Sequence, residues 1–329
     1  MNASLAAPEA LTPEQVARGA AAITANVRRV ISGQTEAVEL SVTTFLAAGH
    51  VLIEDVPGVG KTMLARALAA SIGASVKRIQ FTPDLLPSDV TGAPIFNQAT
   101  RQFDFEPGPI FANLVIADEI NRASPRTQSA LLESMEEGQV TVDGAAHLLP
   151  RPFHVVATQN PIDMEGTHAL LEAQRDRFMA RVSLGYPDEE AERALVRARD
   201  LDEPIAQASP VVSLADAQRM IAAARRTFIA EPVRDYAVAL TRSTRRSPAL
   251  ALGASPRAAI HLVTAAKARA AVQGRAYVLP DDVQALAECV LAHRIVPATP
   301  ARGREAMVQA AAIIRQCVAG VPVPVPIQP

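Results

Sequence analysis

One short segment constrains the fold of this chain more than any other: Asp55-Val-Pro-Gly-Val-Gly-Lys-Thr62. It lies between His50–Glu54, which predicts a short buried strand, and Lys61–Ile72, which predicts a helix. Glycines let backbone N–H groups approach a phosphate closely, and the dipole of the following helix favours negative charge. An ordinary glycine-rich turn is the alternative, but Gly-Lys-Thr in this context favours a phosphate-binding loop.

The residues of this P-loop predict separate roles. Lys61 is expected to reach the β- and γ-phosphates of a nucleotide, and the Thr62 hydroxyl to bind Mg²⁺. The strict pattern has glycine at the first position, where this chain has Asp55. That departure is expected to matter little, because Gly58 and Gly60 flank the tightest part of the turn. The predicted nucleotide-binding residues of the loop are Pro57, Gly58, Val59, Gly60, Lys61, Thr62 and Met63.

A second apolar run, Leu114 to Glu119, ends in two adjacent carboxylates. Neighbouring side chains on a strand point in different directions, so the two can take different roles. Asp118 is expected to hold Mg²⁺ and Glu119 to act as the base that polarises the attacking water. A solvated acidic pair is the alternative. Together with the P-loop, the pair favours ATP hydrolysis over passive nucleotide binding.

A third run, His154-Val-Val-Ala-Thr-Gln-Asn-Pro161, is another strand that ends in polar residues. In a parallel sheet it is expected beside the strand of Asp118, which places Asn160 near the γ-phosphate. A turn-forming Asn-Pro pair is the alternative reading.

Strands alternate with helices up to about residue 187 and then give way to helical patterns punctuated by prolines. The predicted fold class is therefore α/β: a P-loop NTPase parallel sheet sandwiched by helices, followed by a smaller all-α lid domain. Two hairpin signals interrupt the α/β pattern. The predicted parts are a flexible N-terminal arm (1–11), the α/β ATPase domain (12–187) with hairpins at about 91–109 and 139–150, the helical lid (188–320) and a Pro-rich tail (321–329).

Composition bounds the class of protein. The 329 residues are 49% hydrophobic and 20% charged, as in a soluble globular protein, and suffice for two domains that each have a core. The net charge of −2 gives no general attraction for nucleic acid. Cys289 and Cys317 lack partners at metal-ligand spacing and are expected to be reduced thiols. With no signal peptide and no membrane-spanning run, the expected location is cytoplasmic.

The order of these motifs resembles the AAA+ ATPases, and within them the MoxR family. The resemblance covers most of residues 12 to 300. The stretches that carry it are Glu54–Thr62, Phe81–Asp89, Phe105–Phe111, Ala117–Ala123, Thr127–Glu137, Ala157–Pro161, Glu172–Phe178 and Ala254–Arg257.

The resemblance implies roles for three polar residues outside the P-loop. Asn160 matches sensor 1, and Arg177 matches an arginine finger that reaches the nucleotide of a neighbouring subunit. Arg175 and Arg181 remain alternatives for that finger. Arg257 matches sensor 2, which binds the phosphates from the lid of the same subunit.

The resemblance also implies an adenine pocket near Ile31 and Gly33. It identifies 91–109 as a helix-2 insert and 139–150 as a pre-sensor-1 hairpin.

By the same resemblance, the chain is expected to form a hexameric ring with ATP and Mg²⁺ at its interfaces. It is expected to act as a chaperone-like ATPase that remodels or matures a protein client, in some family members by metal or cofactor insertion, with a von Willebrand A-domain partner. The alternatives are a related motor acting on DNA or a metal-chelatase subunit, and a non-catalytic nucleotide switch. Mild acidity weighs against DNA, and the intact P-loop and carboxylate pair weigh against the switch.

Overall fold

The protein is described by a computed structural model that covers residues 10–160, 168–199, 205, 208–299, 301 and 303–324. The elements up to the last strand of the main sheet are α1 Pro13–Val30, α2 Thr35–Leu46, β1 Val51–Glu54, α3 Lys61–Ser71, β2 Val76–Gln80, α4 Pro87–Thr91, β3 Gly92–Asn97, β4 Gln102–Pro107, β5 Leu114–Asp118, α5 Pro125–Glu137, β6 Gln139–Val142, β7 Ala145–Leu148, β8 His154–Gln159, α6 Glu172–Arg175 and β9 Ala180–Val182. The later elements are α7 Glu189–Arg199, α8 Leu214–Arg226, α9 Glu231–Thr244, β10 Leu250–Leu252, α10 Pro256–Val272, α11 Pro280–Leu291, β11 Val296–Pro297 and α12 Gly303–Gly320.

The main sheet has five parallel strands in the order β2-β5-β8-β1-β9. This confirms the predicted parallel α/β sheet followed by a helical lid. Because all strands run the same way, the P-loop after β1, the acidic pair after β5 and Asn160 after β8 lie at one carboxyl edge. Ligands of open α/β sheets bind at that edge.

Helix starts follow the capping residues in the sequence. The Thr12 side chain accepts a hydrogen bond from the Gln15 N–H, and the Gln15 side chain accepts one from the Thr12 N–H, with Pro13 in the first turn. At α10 the Ser255 hydroxyl accepts from the Ala258 N–H, again with proline in the first turn. Both helices therefore begin directly after a capping hydroxyl residue.

The two predicted hairpins are present as the antiparallel pairs β3–β4 and β6–β7. They meet where the rings of Phe105 and His147 stack with their centroids 3.9 Å apart. Phe96 and Phe103 form an aromatic pair on β3–β4, and both side chains are exposed. The hairpins are therefore neighbours with apolar groups facing outward.

The hydrophobic core corrects the expectation that the lid has a core of its own. One face of the sheet packs on α5 through residues such as Leu52 and Val155. The other face, which includes Ile53 and Val156, belongs to a core that continues through α1, α2 and α3 into the helices from α8 to α12. The alanine-rich α10 packs against both α1 and α2 because its small side chains permit a close approach.

The lid region also contains strand structure that the sequence analysis did not predict, since β10 and β11 pair as a short antiparallel ribbon. Residues 1–9 of the predicted arm and 325–329 of the predicted tail lie outside the described residues. None of the described helices combines the length and the apolar character needed to cross a bilayer.

Candidate functional site

The P-loop has the backbone shape needed to surround an anion. Gly58 and Gly60 have φ values of +86° and +96°, a region that disfavours residues with a Cβ. A Cβ at Gly58 would meet no atom within 4 Å, so this side of the loop is open. Helix α3 begins directly afterwards at Lys61, which directs its N-terminal N–H groups into the loop.

The ammonium group of Lys61 lies among oxygen acceptors. Its Nζ donates to the backbone carbonyl of Asp55 at 2.6 Å, and lies 3.4 Å from the carbonyl of Gln159. Burial lowers the pKa of Lys61, whereas the carboxylates of Asp55, Asp118 and Glu119 oppose that shift. A nucleotide phosphate is a stronger acceptor than either carbonyl, so Lys61 is placed to exchange them for phosphate oxygens.

Oxygen atoms suited to Mg²⁺ lie next to this lysine. The Thr62 hydroxyl is 3.1 Å from one Asp118 carboxylate oxygen, and the Thr158 hydroxyl donates to the other at 2.8 Å. A hydroxyl and a carboxylate are the protein ligands that Mg²⁺ commonly takes alongside phosphate and water. Arg78 also donates to the Asp118 carboxylate, at 2.7 Å. The predicted pair Thr62 and Asp118 is therefore brought together and fits a magnesium ion.

Glu119 has different partners from Asp118, but strand alternation is not the cause, because β5 ends at Asp118. The Glu119 φ of +54° is unusual for a residue with a side chain, and Glu119 lies directly after the end of β5. The Glu119 N–H donates to the Thr158 hydroxyl at 3.0 Å. The Glu119 carboxylate accepts from Gln80 at 2.9 Å and from Arg122 at 2.8 Å. Glu119 is therefore oriented by side chains from three different segments.

Sequence reasoning missed Thr158, Arg78, Gln80 and Arg122. Thr158 had a usable signal, because a hydroxyl at the end of a strand beside Asp118 can face that carboxylate. The other three depend on the pairing of β2 with β5 or on the turn after Glu119, neither of which a motif reveals.

Asn160 and the expected adenine-pocket residues also lie around the loop. Asn160 follows β8, which lies beside β5 as predicted and also pairs with β1. The Asn160 carbonyl is 3.5 Å from the Asn121 amide nitrogen. A Cβ on Gly60 would lie 3.5 Å from the Ile31 side chain. Gly33 has a φ of +77°, and a Cβ there would be 2.8 Å from the Ala191 Cβ on α7. Contact of Ile31 and Gly33 with adenine stays a prediction.

Asp55, which stands where the strict P-loop pattern has glycine, has structural contacts that the sequence does not predict. One of its carboxylate oxygens accepts from the N–H groups of Leu184 and Gly185, at 2.7 and 2.6 Å, and from the Ser183 hydroxyl at 3.0 Å. The other accepts from the Val56 N–H at 2.9 Å. The carboxylate is buried, so these bonds fasten the P-loop to the chain that leaves β9.

Arg177 and Arg257 bind the same carboxylate, that of Glu136 at the end of α5. Glu136 follows Met135, whose carbonyl contacts the His50 ring at 3.2 Å, so the three side chains lie near the amino end of β1. The P-loop begins at the opposite end of that strand, roughly 15 Å away at about 3.3 Å per residue. The prediction that Arg257 binds the phosphates of its own subunit therefore disagrees with this arrangement.

The two alternative finger residues have different surroundings. Arg181 pairs with Glu54 at 3.4 Å, and both side chains are largely buried. Arg175 lies 3.7 Å from Glu172. Both arginines line a partly open pocket of about 270 Å³. Arg177 is the most exposed of the three arginines, with 29% of its side chain accessible. Its role as the arginine finger remains a prediction.

Comparison with known proteins agrees with this fold. Residues 50–180 match the family model described as "ATPase family associated with various cellular activities (AAA)", and residues 242–317 match an AAA lid domain. The fold and the P-loop site therefore define an AAA ATPase.

Relatives that match most of the chain identify the family within the AAA ATPases. The chain is 48% identical to YeaC of Bacillus subtilis over 91% of this chain and 93% of that protein. It is 43% identical to the chaperone MoxR1 of Mycobacterium tuberculosis over 82% of this chain and 74% of that protein. A crystal structure of a Cytophaga hutchinsonii protein superposes with a TM-score of 0.85 at 35% identity, covering 95% of this chain and 97% of the other. The protein belongs to the MoxR family of AAA ATPases.

Proposed function

We propose that this protein hydrolyses ATP in a Mg²⁺-dependent reaction and uses the cycle to remodel or mature a protein client, as a chaperone. The main support for hydrolysis is that the Thr62 hydroxyl lies 3.1 Å from the Asp118 carboxylate, next to an open P-loop. Glu119 follows Asp118 directly in the chain. Membership of the AAA family supports hydrolysis, and similarity to a chaperone, MoxR1, supports the protein client.

Each residue of the site has a role in this proposal. Lys61 exchanges its two carbonyl partners for the β- and γ-phosphates of ATP. Thr62 and Asp118 hold Mg²⁺, which when bound neutralises charge on the phosphate oxygens. Glu119 takes a proton from the attacking water after its carboxylate turns from Arg122 and Gln80. Asn160 orients the water or the γ-phosphate from the end of β8.

Arg177 acts on the nucleotide of a neighbouring subunit, in our proposal, and Arg257 acts with it. The amino edge of the sheet, where both bind Glu136, faces away from the P-loop of the same chain. An assembly that brings this edge to the next P-loop would supply both positive charges to the transferring phosphoryl group. The hexameric ring, the von Willebrand A-domain partner and the cytoplasmic location remain predictions from the family.

The hairpin surface, defined as Ile95, Phe96, Phe103 and Leu148, is proposed to contact the client. All four side chains are at least half exposed. Exposed aromatic and aliphatic groups bind unfolded or partly folded protein segments, whereas DNA binding requires basic side chains. This surface favours a protein client over the alternative of a DNA motor.

Replacement of Glu119 tests the proposed reaction. Glu119→Gln is expected to keep ATP affinity within about twofold and to reduce hydrolysis by on the order of 10²-fold or more, since it lacks a base. Glu305→Gln, an exposed glutamate on α12, is the matched control and should behave as wild type. Undiminished hydrolysis by Glu119→Gln would reject Glu119 as the base. Proteins that co-purify with the ATP-loaded variant identify the client, and strong salt-dependent stimulation by DNA would favour the motor instead.

A further inference from the structure

Asp176, the residue between Arg175 and Arg177, is bound by side chains of the lid. The Ser255 hydroxyl lies 2.9 Å from each oxygen of its carboxylate. Arg294 approaches one oxygen at 3.3 Å, and Arg257 approaches the other at 3.9 Å. A hydroxyl and two guanidinium groups of the lid therefore converge on one carboxylate beside the predicted finger.

Arg294 is the most enclosed of these groups, with 1% of its side chain exposed. It also donates to the Phe178 carbonyl and lies 2.5 Å from Nδ1 of His261. His261 must accept this bond, which fits a neutral ring: burial lowers its pKa to about 3, and the charges of Arg294 and Arg257 add to the shift. Arg294 thus holds two consecutive parts of the finger segment, the Asp176 side chain and the Phe178 backbone.

A buried guanidinium that loses its carboxylate partner is strongly unfavourable, so Arg294 and Asp176 resist separation. Arg294 belongs to the turn after α11, in the lid, whereas Asp176 belongs to the segment that leads into β9. Arg177 lies within that segment. Among the described residues, its guanidinium is held by an exposed pair with Glu136 and a weak 3.4 Å contact to the Ala173 carbonyl. Its backbone is therefore positioned from the lid side, while its charged end can change partners.

We propose that Asp176, Ser255 and Arg294 form a lid clamp through which the lid sets the position of Arg177 toward the nucleotide of the adjacent subunit. Asp176 and Arg294 are positioning residues that act through Arg177. The proposal rests on the proposed function, in which Arg177 acts across a subunit interface. A lid displaced in one subunit would then change the rate of hydrolysis in its neighbour.

Mixing experiments distinguish this role from a structural one. Arg294→Gln alone is expected to bind ATP within about twofold of wild type and to lose about 10- to 100-fold in hydrolysis, because small misplacements of a catalytic group cost that much. Mixed with Glu119→Gln subunits, which carry an intact finger but no base, it should recover activity at interfaces that combine its intact P-loop with a correctly held Arg177. Arg294→Lys keeps the charge and should show a smaller loss.

A lid-internal ion pair supplies the control. Arg275 binds both carboxylate oxygens of Asp282, at 2.6 and 2.8 Å, within the lid. Arg275→Gln should lower stability without the recoverable loss of hydrolysis. If Arg294→Gln does not fold, Asp176→Asn replaces it, since asparagine can still accept from Ser255.

Arg177→Ala mixed with Glu119→Gln serves as the reference. Recovery with Arg177→Ala but none with the clamp variants would overturn the clamp and leave the proposed function standing. No recovery with Arg177→Ala would instead reject action across the interface. The clamp predicts that Arg177→Ala and the clamp variants each recover hydrolysis when mixed with Glu119→Gln. If Arg275→Gln loses hydrolysis, the same mixing should not restore it.

Discussion

The Asp55 carboxylate accepts the backbone N–H of Gly185 at 2.6 Å. This bond joins the first residue of the P-loop to the chain that runs from β9 toward α7. The same carboxylate oxygen also accepts from Leu184, so two consecutive N–H groups are satisfied by one side chain. Asp55 therefore links the P-loop to the chain after β9, at the position where the strict pattern requires glycine.

Asp55→Gly would restore the strict pattern, and it is expected to destabilise the protein. The change removes buried hydrogen bonds to a charged acceptor, which lowers the free energy of unfolding by about 2–4 kcal/mol. Urea unfolding measures the effect. Asp55→Asn keeps one acceptor oxygen, so its free energy of unfolding should fall less. Equal stability of the glycine variant and wild type would contradict the stabilising role of Asp55.

Lys61→Ala is expected to weaken ATP binding by about 10- to 100-fold, which corresponds to the loss of charged hydrogen bonds to phosphate. Titration with a fluorescent ATP analogue measures the dissociation constant. The control is Lys77→Ala, because Lys77 is an exposed lysine on β2, an edge strand away from the P-loop. Unchanged affinity of the Lys61 variant would reject the P-loop assignment.

Thr158→Val tests the hydroxyl that joins the Asp118 carboxylate to the Glu119 backbone N–H. Valine has nearly the same shape, but it leaves the Glu119 N–H without its acceptor and removes one of the donors to the Asp118 carboxylate. We expect kcat to fall by about tenfold with KM within about twofold, and stability to fall by about 1–3 kcal/mol. Thr158→Ser keeps the hydroxyl and should retain most activity. A change in KM alone would mean that the hydroxyl serves binding only.

Stability is expected to fall in mild acid because of two buried histidines. Burial lowers the pKa of His50 to about 4 and that of His154 to about 3, below the ordinary value of 6.5. Below pH 6.5 the unfolded chain therefore binds more protons than the folded one, and stability is lost as the pH falls toward 4. The loss at pH 5 is about 1–2 kcal/mol for each ring.

Chemical unfolding at pH 7 and pH 5 measures this loss. His154→Gln should lower stability at pH 7 and should reduce the difference between the two pH values. His168→Gln removes an exposed ring and should leave that difference unchanged. An undiminished pH effect in the His154 variant would assign the acid sensitivity to other groups.

Local patterns predicted the parts of this protein whose causes are local. The strand of Leu114 to Asp118, the cap at Thr12 and the two hairpins follow from periodicity, capping and turn residues. The position of Arg257 did not follow, because it depends on how the lid packs against α1 and α2. Contacts between distant segments of the chain, such as Arg78 with Asp118, likewise leave no periodic signal.

The core shared by α1 and the lid has a consequence for how this protein can change over time. Gly19 of α1 lies so close to α8 that a Cβ there would be 2.7 Å from the Met220 sulfur. Substitutions on one surface therefore require matching substitutions on the other, and the two regions cannot be exchanged independently between relatives. A chimera that carries the lid of a relative would pack poorly against α1 unless α1 of that relative were transferred as well.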